Sequence, residues 1–374
     1  MHPVVSPMKK RACCALALLI VTLSQNIGLA AAPQMDADGT IHVPAFVLPE
    51  SSLLNDETRT ALKYARESPE GHDAAVKAFI DGCPIPKDAD RAAMAKIRIR
   101  QAEIFYSTPF YRRLREHFPV VMTAQTIGGV YTEVFTPEDG IAPRNRDRVL
   151  IDLHGGHFQG GARIVSHVES IPIASIGKIK VICIDYRMAP EYAFPAASED
   201  VAVVYREIIK TYEPRNIGLY GSSAGGLLTA ESIAWFQKEG LPLPGAVGML
   251  CGAARYYQEG DSGLFASARE GFTLVPSRVH PYFESTDVSN PLAFPGLSTQ
   301  AMAKFPPSLL VATTRDVALS SVVVTHSQLV RLGVDAELHV WEGLGHTFYT
   351  DPDLPESREV HDVVIGFFDR HLGK

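Results

Sequence analysis

From Val130 onward the chain alternates short apolar, β-branched-rich runs with helical stretches, and no other feature restricts its fold as strongly. The runs are Val130 to Phe135, Val149 to Leu153, Lys180 to Asp185, Ile217 to Tyr220, Ala246 to Leu250, Ser308 to Ala312 and Glu337 to Trp341. Between them, Ala197 to Tyr212, Ala224 to Lys238 and Ser321 to Leu332 carry helical periodicity. Strands separated by helices must run parallel, because the crossover returns the chain to the same end of the sheet. Helices then cover both faces, so the strands read as continuous apolar runs. The pattern predicts an α/β protein with a mostly parallel central sheet flanked by helices.

The flanking regions have a different texture. Before Val130 the chain is rich in Ala, Glu, Lys and Arg, and Asp56 to Ser68 and Ala89 to Phe118 read as amphipathic helices, the second broken near Pro109. Residues 31–125 are therefore expected to form a helical segment, and residues 126–374 the α/β domain. Residues 252–304 show no clear strand and many Pro, Gly and aromatic residues, too long a stretch for a plain loop. They are read as an insertion covering a site.

At the N-terminus, Lys9, Lys10 and Arg11 precede an apolar run from Ala12 to Leu23, followed by small residues from Gly28 to Ala32. These are the three regions of a secretory signal peptide, with an apolar core short for a bilayer span. Residues 1–30 are assigned to it, with cleavage after Ala30. The mature chain is then expected in the periplasm or secreted, with no stable membrane insertion. Losing the three basic residues takes the formal charge from −7 to −10. An acidic chain without a basic stripe argues against a nucleic-acid partner. Cys83, Cys183 and Cys251 remain after cleavage, an odd number that cannot complete a disulfide framework. Cys183 and Cys251 sit in apolar runs as small core residues, whereas Cys83 is free to take part in one disulfide.

Four loops carry residues that chemistry can use. Gly221-Ser222-Ser223-Ala224-Gly225 fits G-x-S-x-G between a short strand and a helix. In that setting the sharp turn pushes the Ser223 oxygen clear of the sheet as a nucleophile. His154-Gly155-Gly156-His157-Phe158 follows the strand Val149 to Leu153. The N–H groups of Gly155 and Gly156, with that of Ala224, are expected to form an oxyanion hole. Asp316 lies past the strand Ser308 to Ala312, and His346 lies in a Gly-flanked loop after the strand ending at Trp341. Both fall at strand C-terminal ends, where Ser223 emerges. The order Ser, Asp, His matches a triad in which His346 is the base and Asp316 orients it. Asp335 is the rival acid, but it precedes its strand and so sits at the wrong end.

Taken together, His154-Gly155-Gly156, Asp185 to Glu191, Phe194 to Ala197, Gly221 to Gly226 and the Asp316 and His346 loops resemble the hormone-sensitive-lipase-like esterases (bacterial family IV) of the α/β-hydrolase superfamily. The resemblance covers Val130 to the C-terminus. It implies an α/β-hydrolase fold whose mainly helical cap is assembled from the N-terminal segment and residues 252–304. It also implies that Arg187 and Glu191 belong to a structural ion-pair network. The activity implied is hydrolysis of short- to medium-chain acyl esters or small lactones through an acyl-enzyme, with a small-molecule ester as partner and no metal or cofactor. His157 stands where the family usually has a third Gly, and Ser222 where it usually has Asp. His157, Phe158, Val317 and Phe348 adjoin the catalytic loops and are candidates to line the substrate pocket. An amidase or peptidase on the same triad, and a non-catalytic ligand-binding homologue, are the alternatives.

Overall fold

The computed structural model describes residues 33–86 and 90–374; the signal-peptide assignment lies outside them. The described chain forms two compact units, one ending at Pro49 and one running from Glu50 to Lys374. The first holds a small antiparallel pair, β1 (Gln34–Met35) and β2 (Ile41–His42), with His42 Nε2 2.8 Å from Asp36 Oδ2.

The second unit opens with four helices: α1 (Asp56–Glu67), α2 (His72–Gly82), α3 (Arg91–Tyr106) and α4 (Pro109–His117). Asn55, Asp90 and Thr108 cap α1, α3 and α4 by accepting backbone N–H bonds, which satisfies donors that no helix can pair internally. Pro109 supplies the first turn of α4. The single broken helix expected over Ala89 to Phe118 is thus two helices meeting at Thr108.

Next come β3 (Val120–Ile127), β4 (Val130–Pro137), β5 (Val149–Leu153), α5 (Val165–Gly177), β6 (Lys180–Ile184), α6 (Ala196–Ile208), β7 (Ile217–Ser222), α7 (Ala224–Glu239) and β8 (Ala246–Leu250). They are followed by α8 (Asp261–Glu270), α9 (Thr299–Met302), β9 (Ser308–Thr313), α10 (Leu319–Arg331), β10 (Ala336–Trp341) and α11 (Pro355–His371). The eight strands from β3 onward form one sheet in the order β10-β9-β8-β7-β5-β6-β4-β3. β3 and β4 pair antiparallel and β4 meets β6 antiparallel, while every other neighbour is parallel. The sheet therefore starts at Val120, inside the stretch expected to be helical. Only Val120 of β3 is buried, as suits an edge strand with no apolar face to pack.

Along β5 the side chains alternate between two cores. Val149, Ile151 and Leu153 face α6 and α7, against residues such as Tyr205, Leu227 and Phe236. Leu150 faces α5 and α11, with Ile171, Phe367 and Phe368. β5 has β6 on one side and β7 on the other, so the connections diverge there and leave a crevice at the strand C-termini. Residues 252–304 contain α8, α9 and short turns but no strand, and bury Tyr256, Tyr282, Phe283 and Phe294.

The ion pairs differ in one respect from the network implied by the resemblance. Arg187 binds Asp200 and Glu199, whereas the partner of Glu191 comes from far away in the sequence: Arg98 on α3. Cys83, Cys183 and Cys251 are all free thiols. Among the described residues no helix is long and apolar enough to cross a membrane.

Candidate active site

The turn between β7 and α7 presents Ser223 at φ 53° and ψ −118°, a strained backbone for a residue with a side chain. Its N–H is anchored to the Leu250 carbonyl at 2.8 Å. Two flanking glycines make the turn possible. A Cβ on Gly221 would lie 2.2 Å from the Leu153 oxygen, and one on Gly225 would lie 1.6 Å from the same atom. A side chain at Gly221 would push β7 away from β5, and one at Gly225 would push α7 away from it.

Ser223 Oγ lies 2.9 Å from His346 Nε2, and His346 Nδ1 lies 2.7 Å from Asp316 Oδ1. Because a carboxylate only accepts, the neutral ring carries its proton on Nδ1 and leaves Nε2 to accept from the serine hydroxyl. Asp316 Oδ1 also accepts the Ala318 N–H at 2.8 Å, and the side chain is fully buried. Burial alone would raise its carboxyl, but the His346 imidazole and these hydrogen bonds hold it below the ordinary value. For His346, burial favours the neutral ring; the Asp316 carboxylate more than offsets this and raises its pKa. Threonines join the two loops: Thr313 Oγ1 donates to the Leu344 carbonyl at 2.7 Å, and Thr314 Oγ1 accepts the Gly343 N–H at 2.8 Å.

The loop 154–158 is less simple than its glycines imply. The Gly155 N–H, expected to be an oxyanion donor, is directed instead to Glu169 Oε1 at 3.4 Å. The N–H groups of Gly156, His157 and Ala224 have no hydrogen-bond partner among the described residues. That of Ala224 lies at the N-terminus of α7, where the helix dipole favours negative charge. His154 braces the loop, its Nδ1 2.7 Å from the Gly155 oxygen and its ring stacked on Tyr186.

The four candidate pocket residues divide. His157 is exposed, takes φ 57°, and places Nδ1 3.1 Å from Tyr257 Oη. Desolvation by its surroundings lowers its pKa, and the charge of His346 lowers it further. Val317 is half-buried beside Asp316, and its carbonyl accepts from Ser262 Oγ on α8 at 2.8 Å. Phe158 does not line the pocket: it is fully buried, stacked on Tyr282 at 4.3 Å between ring centres. Phe348 likewise turns into the core against Trp341 and Tyr349. An aromatic ring next to a catalytic loop gains more from a dry core than from a wet rim.

Two residues of this region were not expected at the site: Cys251, read from the sequence as a small core residue, and Glu169. Cys251, the residue after β8, places its thiol by Asp316; Cys251, Asp316 and His346 offer ligand atoms within 4.8 Å of one another. This is the one cluster among the described residues able to hold a metal, and its Asp and His are already committed to hydrogen bonds with each other. Its position at a strand end beside β7 was the available clue. Glu169 gave no signal, because a single Glu in a helix reads as a solvent-facing residue.

Residues 150–350 match the family model of the α/β hydrolase fold. An acetyl-hydrolase of Streptomyces hygroscopicus is 26% identical over 253 residues, which span 66% of this chain and 84% of the relative. The carboxylesterase/phospholipase LipF of Mycobacterium tuberculosis is 25% identical over 56% of this chain and 58% of its own length. Among solved structures, esterase E25 superposes with a TM-score of 0.73 at 28% identity, covering 88% of this chain and 98% of that one. An esterase from the bacterial hormone-sensitive lipase family superposes with a TM-score of 0.65 at 26% identity, over 82% and 99%. The chain thus belongs to the α/β hydrolase fold family, as a carboxylesterase-like hydrolase of the hormone-sensitive-lipase type.

Proposed function

We propose that the protein hydrolyses carboxylic esters with short- to medium-chain acyl groups, or small lactones, through a covalent acyl-enzyme on Ser223. The observation that carries this reading is the continuous chain from Ser223 Oγ through His346 to Asp316, with contacts of 2.9 and 2.7 Å. Ser223 attacks the ester carbonyl while His346 Nε2 takes its proton, and Asp316 stabilises the resulting imidazolium. The carbonyl oxygen, now negative, is received by the N–H groups of Gly156 and Ala224, with that of His157 in the same turn. Each donor contributes roughly 3 kcal/mol in sites of this kind. His346 then gives its proton to the leaving alcohol, and water attacking the acyl group regenerates Ser223 by the same transfers in reverse. His157 and Val317 flank the acyl site, and residues 252–304 close over it as part of the cap. The relatives named as acetyl-hydrolase and carboxylesterase support this substrate class.

The same reading places the mature enzyme outside the cytoplasm, after cleavage at Ala30. Mass spectrometry of the N-terminus of the exported protein tests that point. For the chemistry, a p-nitrophenyl ester series of increasing chain length should peak at short acyl groups. Ser223→Ala should lower kcat by at least about 10³-fold. A wild-type rate in that variant would remove Ser223 as nucleophile.

A further inference from the structure

Beneath the nucleophile turn lies a pair of acids that the triad does not use. Asp152, on β5, and Glu169, on α5, are 0% and 4% exposed. Among the described residues no cation pairs with either. Asp152 Oδ2 accepts from Ser170 Oγ at 2.6 Å. Glu169 Oε1 accepts from two groups at once: the Gly155 N–H at 3.4 Å and the Ser222 hydroxyl. The remaining oxygens, Asp152 Oδ1 and Glu169 Oε2, are buried with no protein donor, and the two carboxyls face each other.

Two carboxylates in contact inside a protein cannot both be ionised, so one proton is shared between them. Burial raises Asp152 to about 7. It raises Glu169 further still, with the Asp152 charge adding to the effect. One proton on the pair removes a buried charge, and Glu169 Oε1 gives a buried N–H and a buried hydroxyl a common acceptor.

The identity of those two donors gives the arrangement its meaning. Gly155 directly precedes Gly156 in the oxyanion loop, and Ser222 directly precedes Ser223. The loops are already in contact, since a Cβ on Gly155 would sit 3.3 Å from Ser223 Cβ and 3.1 Å from Ser222 Oγ. What contact alone does not set is their register along the crevice, and that register fixes the distance from the nucleophile to the oxyanion donors. We propose that Glu169 is a positioning residue for ester hydrolysis, its carboxyl group holding the oxyanion loop, through Gly155, against the nucleophile turn, through Ser222. The inference rests on the reading of Ser223 as nucleophile. Its consequence is kinetic: an error of even 1 Å between nucleophile and oxyanion donors weakens the transition state much more than the bound substrate.

The test compares Glu169→Leu, Glu169→Gln, Ser222→Ala and Ser223→Ala in the full chain, with p-nitrophenyl acetate as substrate. Active sites are counted by labelling with a fluorophosphonate probe. Leu removes the shared acceptor, so kcat per labelled site should fall by about 30-fold or more while KM stays within about 3-fold. Gln keeps a carbonyl oxygen for Gly155 and Ser222 and offers Asp152 an N–H, so it should recover kcat to within about 3-fold of wild type. Ser222→Ala removes one arm and should cost about 3- to 10-fold in kcat. A wild-type kcat in Glu169→Leu, a Gln variant as slow as the Leu one, or a loss carried by KM would each overturn the proposal. If Glu169→Leu does not fold, Ser222→Ala decides, and an unchanged kcat there rejects the role. Activity surviving in Ser223→Ala would reject the nucleophile itself, a separate outcome from a wild-type Glu169→Leu beside an inactive Ser223→Ala.

Discussion

The Nδ1 of His346 lies 2.7 Å from Asp316 Oδ1, and the two groups shift each other's protonation in opposite directions. Asp316 stays ionised despite complete burial, and His346 holds its proton to a higher pH than a free imidazole does. A base must be neutral to accept a proton, so activity is lost as His346 becomes protonated.

The pH dependence of kcat/KM follows from that contact. Activity should rise with pH through a midpoint above 6.5, the usual value for a free imidazole. In Asp316→Asn the carboxylate that raises the midpoint is gone while the burial that lowers it remains. Residual activity should therefore survive to lower pH, although kcat falls by about 10⁴-fold because the wrong tautomer is favoured. A pH–rate profile of both proteins checks the direction of the shift, and an unmoved midpoint would contradict the pairing.

On the proposed reading, His157 limits the room available to the acyl group. Its ring is held 3.1 Å from Tyr257 Oη, at a backbone angle that Gly adopts freely. His157→Gly should widen the acyl site and raise the hexanoate-to-acetate ratio of kcat/KM by about 10-fold or more, the scale on which pockets discriminate methylene groups. Tyr257→Phe loses only the hydrogen bond and should leave that ratio within about 2-fold, because the imidazole still fills the space. The ester-length series with both variants separates filling from bonding.

The parts of this architecture that sequence reading captured are those encoded locally. The strands from Val130 onward announce themselves as apolar runs; glycines mark the strand ends at Ser223 and His346, and Asp316 lies just past an apolar run. β3 escaped because an edge strand such as Val120–Ile127 buries so little that no periodicity marks it. Phe158 and Phe348 were misplaced because adjacency to a catalytic loop says nothing of which way a ring turns. Glu169 and Arg98 were invisible for a deeper reason. Glu169 meets Gly155 and Ser222, 14 and 53 residues away, and Arg98 meets Glu191, 93 residues away. Such partners exist only once the sheet has assembled.

Arg98 illustrates the energetic stake. On α3 it grips Glu191 through two nitrogens at 2.6 and 2.9 Å, and also donates to the carbonyls of Gln159 and Ala189. Both side chains are only 12% exposed. Arg98→Met should destabilise the fold by about 3–5 kcal/mol, because Glu191 is left as a buried carboxylate without its cation. Arg98→Met combined with Glu191→Met should recover a large part of that loss, since no uncompensated charge remains. Urea unfolding of the single and double variants measures the difference. A double variant as unstable as the single one would mean that the carbonyl contacts, and not the charge, matter most.

His361 on α11 makes the stability itself depend on pH. It is 3% exposed, packed edge-on against Phe118, and burial lowers its pKa to about 3. The unfolded chain takes up a proton on this ring below about 6.5, whereas the folded one resists until about pH 3. The unfolded state therefore binds more protons across that window, and acidification favours unfolding. His361→Leu keeps an apolar filling of similar size and removes the titration. Between pH 6 and pH 4 the variant's unfolding free energy should fall less steeply than that of the wild type, by about 1.4 kcal/mol per pH unit. The buried acids Asp152, Glu169 and Glu231, whose pKa values are raised, contribute a slope of the opposite sign in both proteins and cancel in the comparison. Equal slopes in the two proteins would show that His361 gains its proton without leaving the fold.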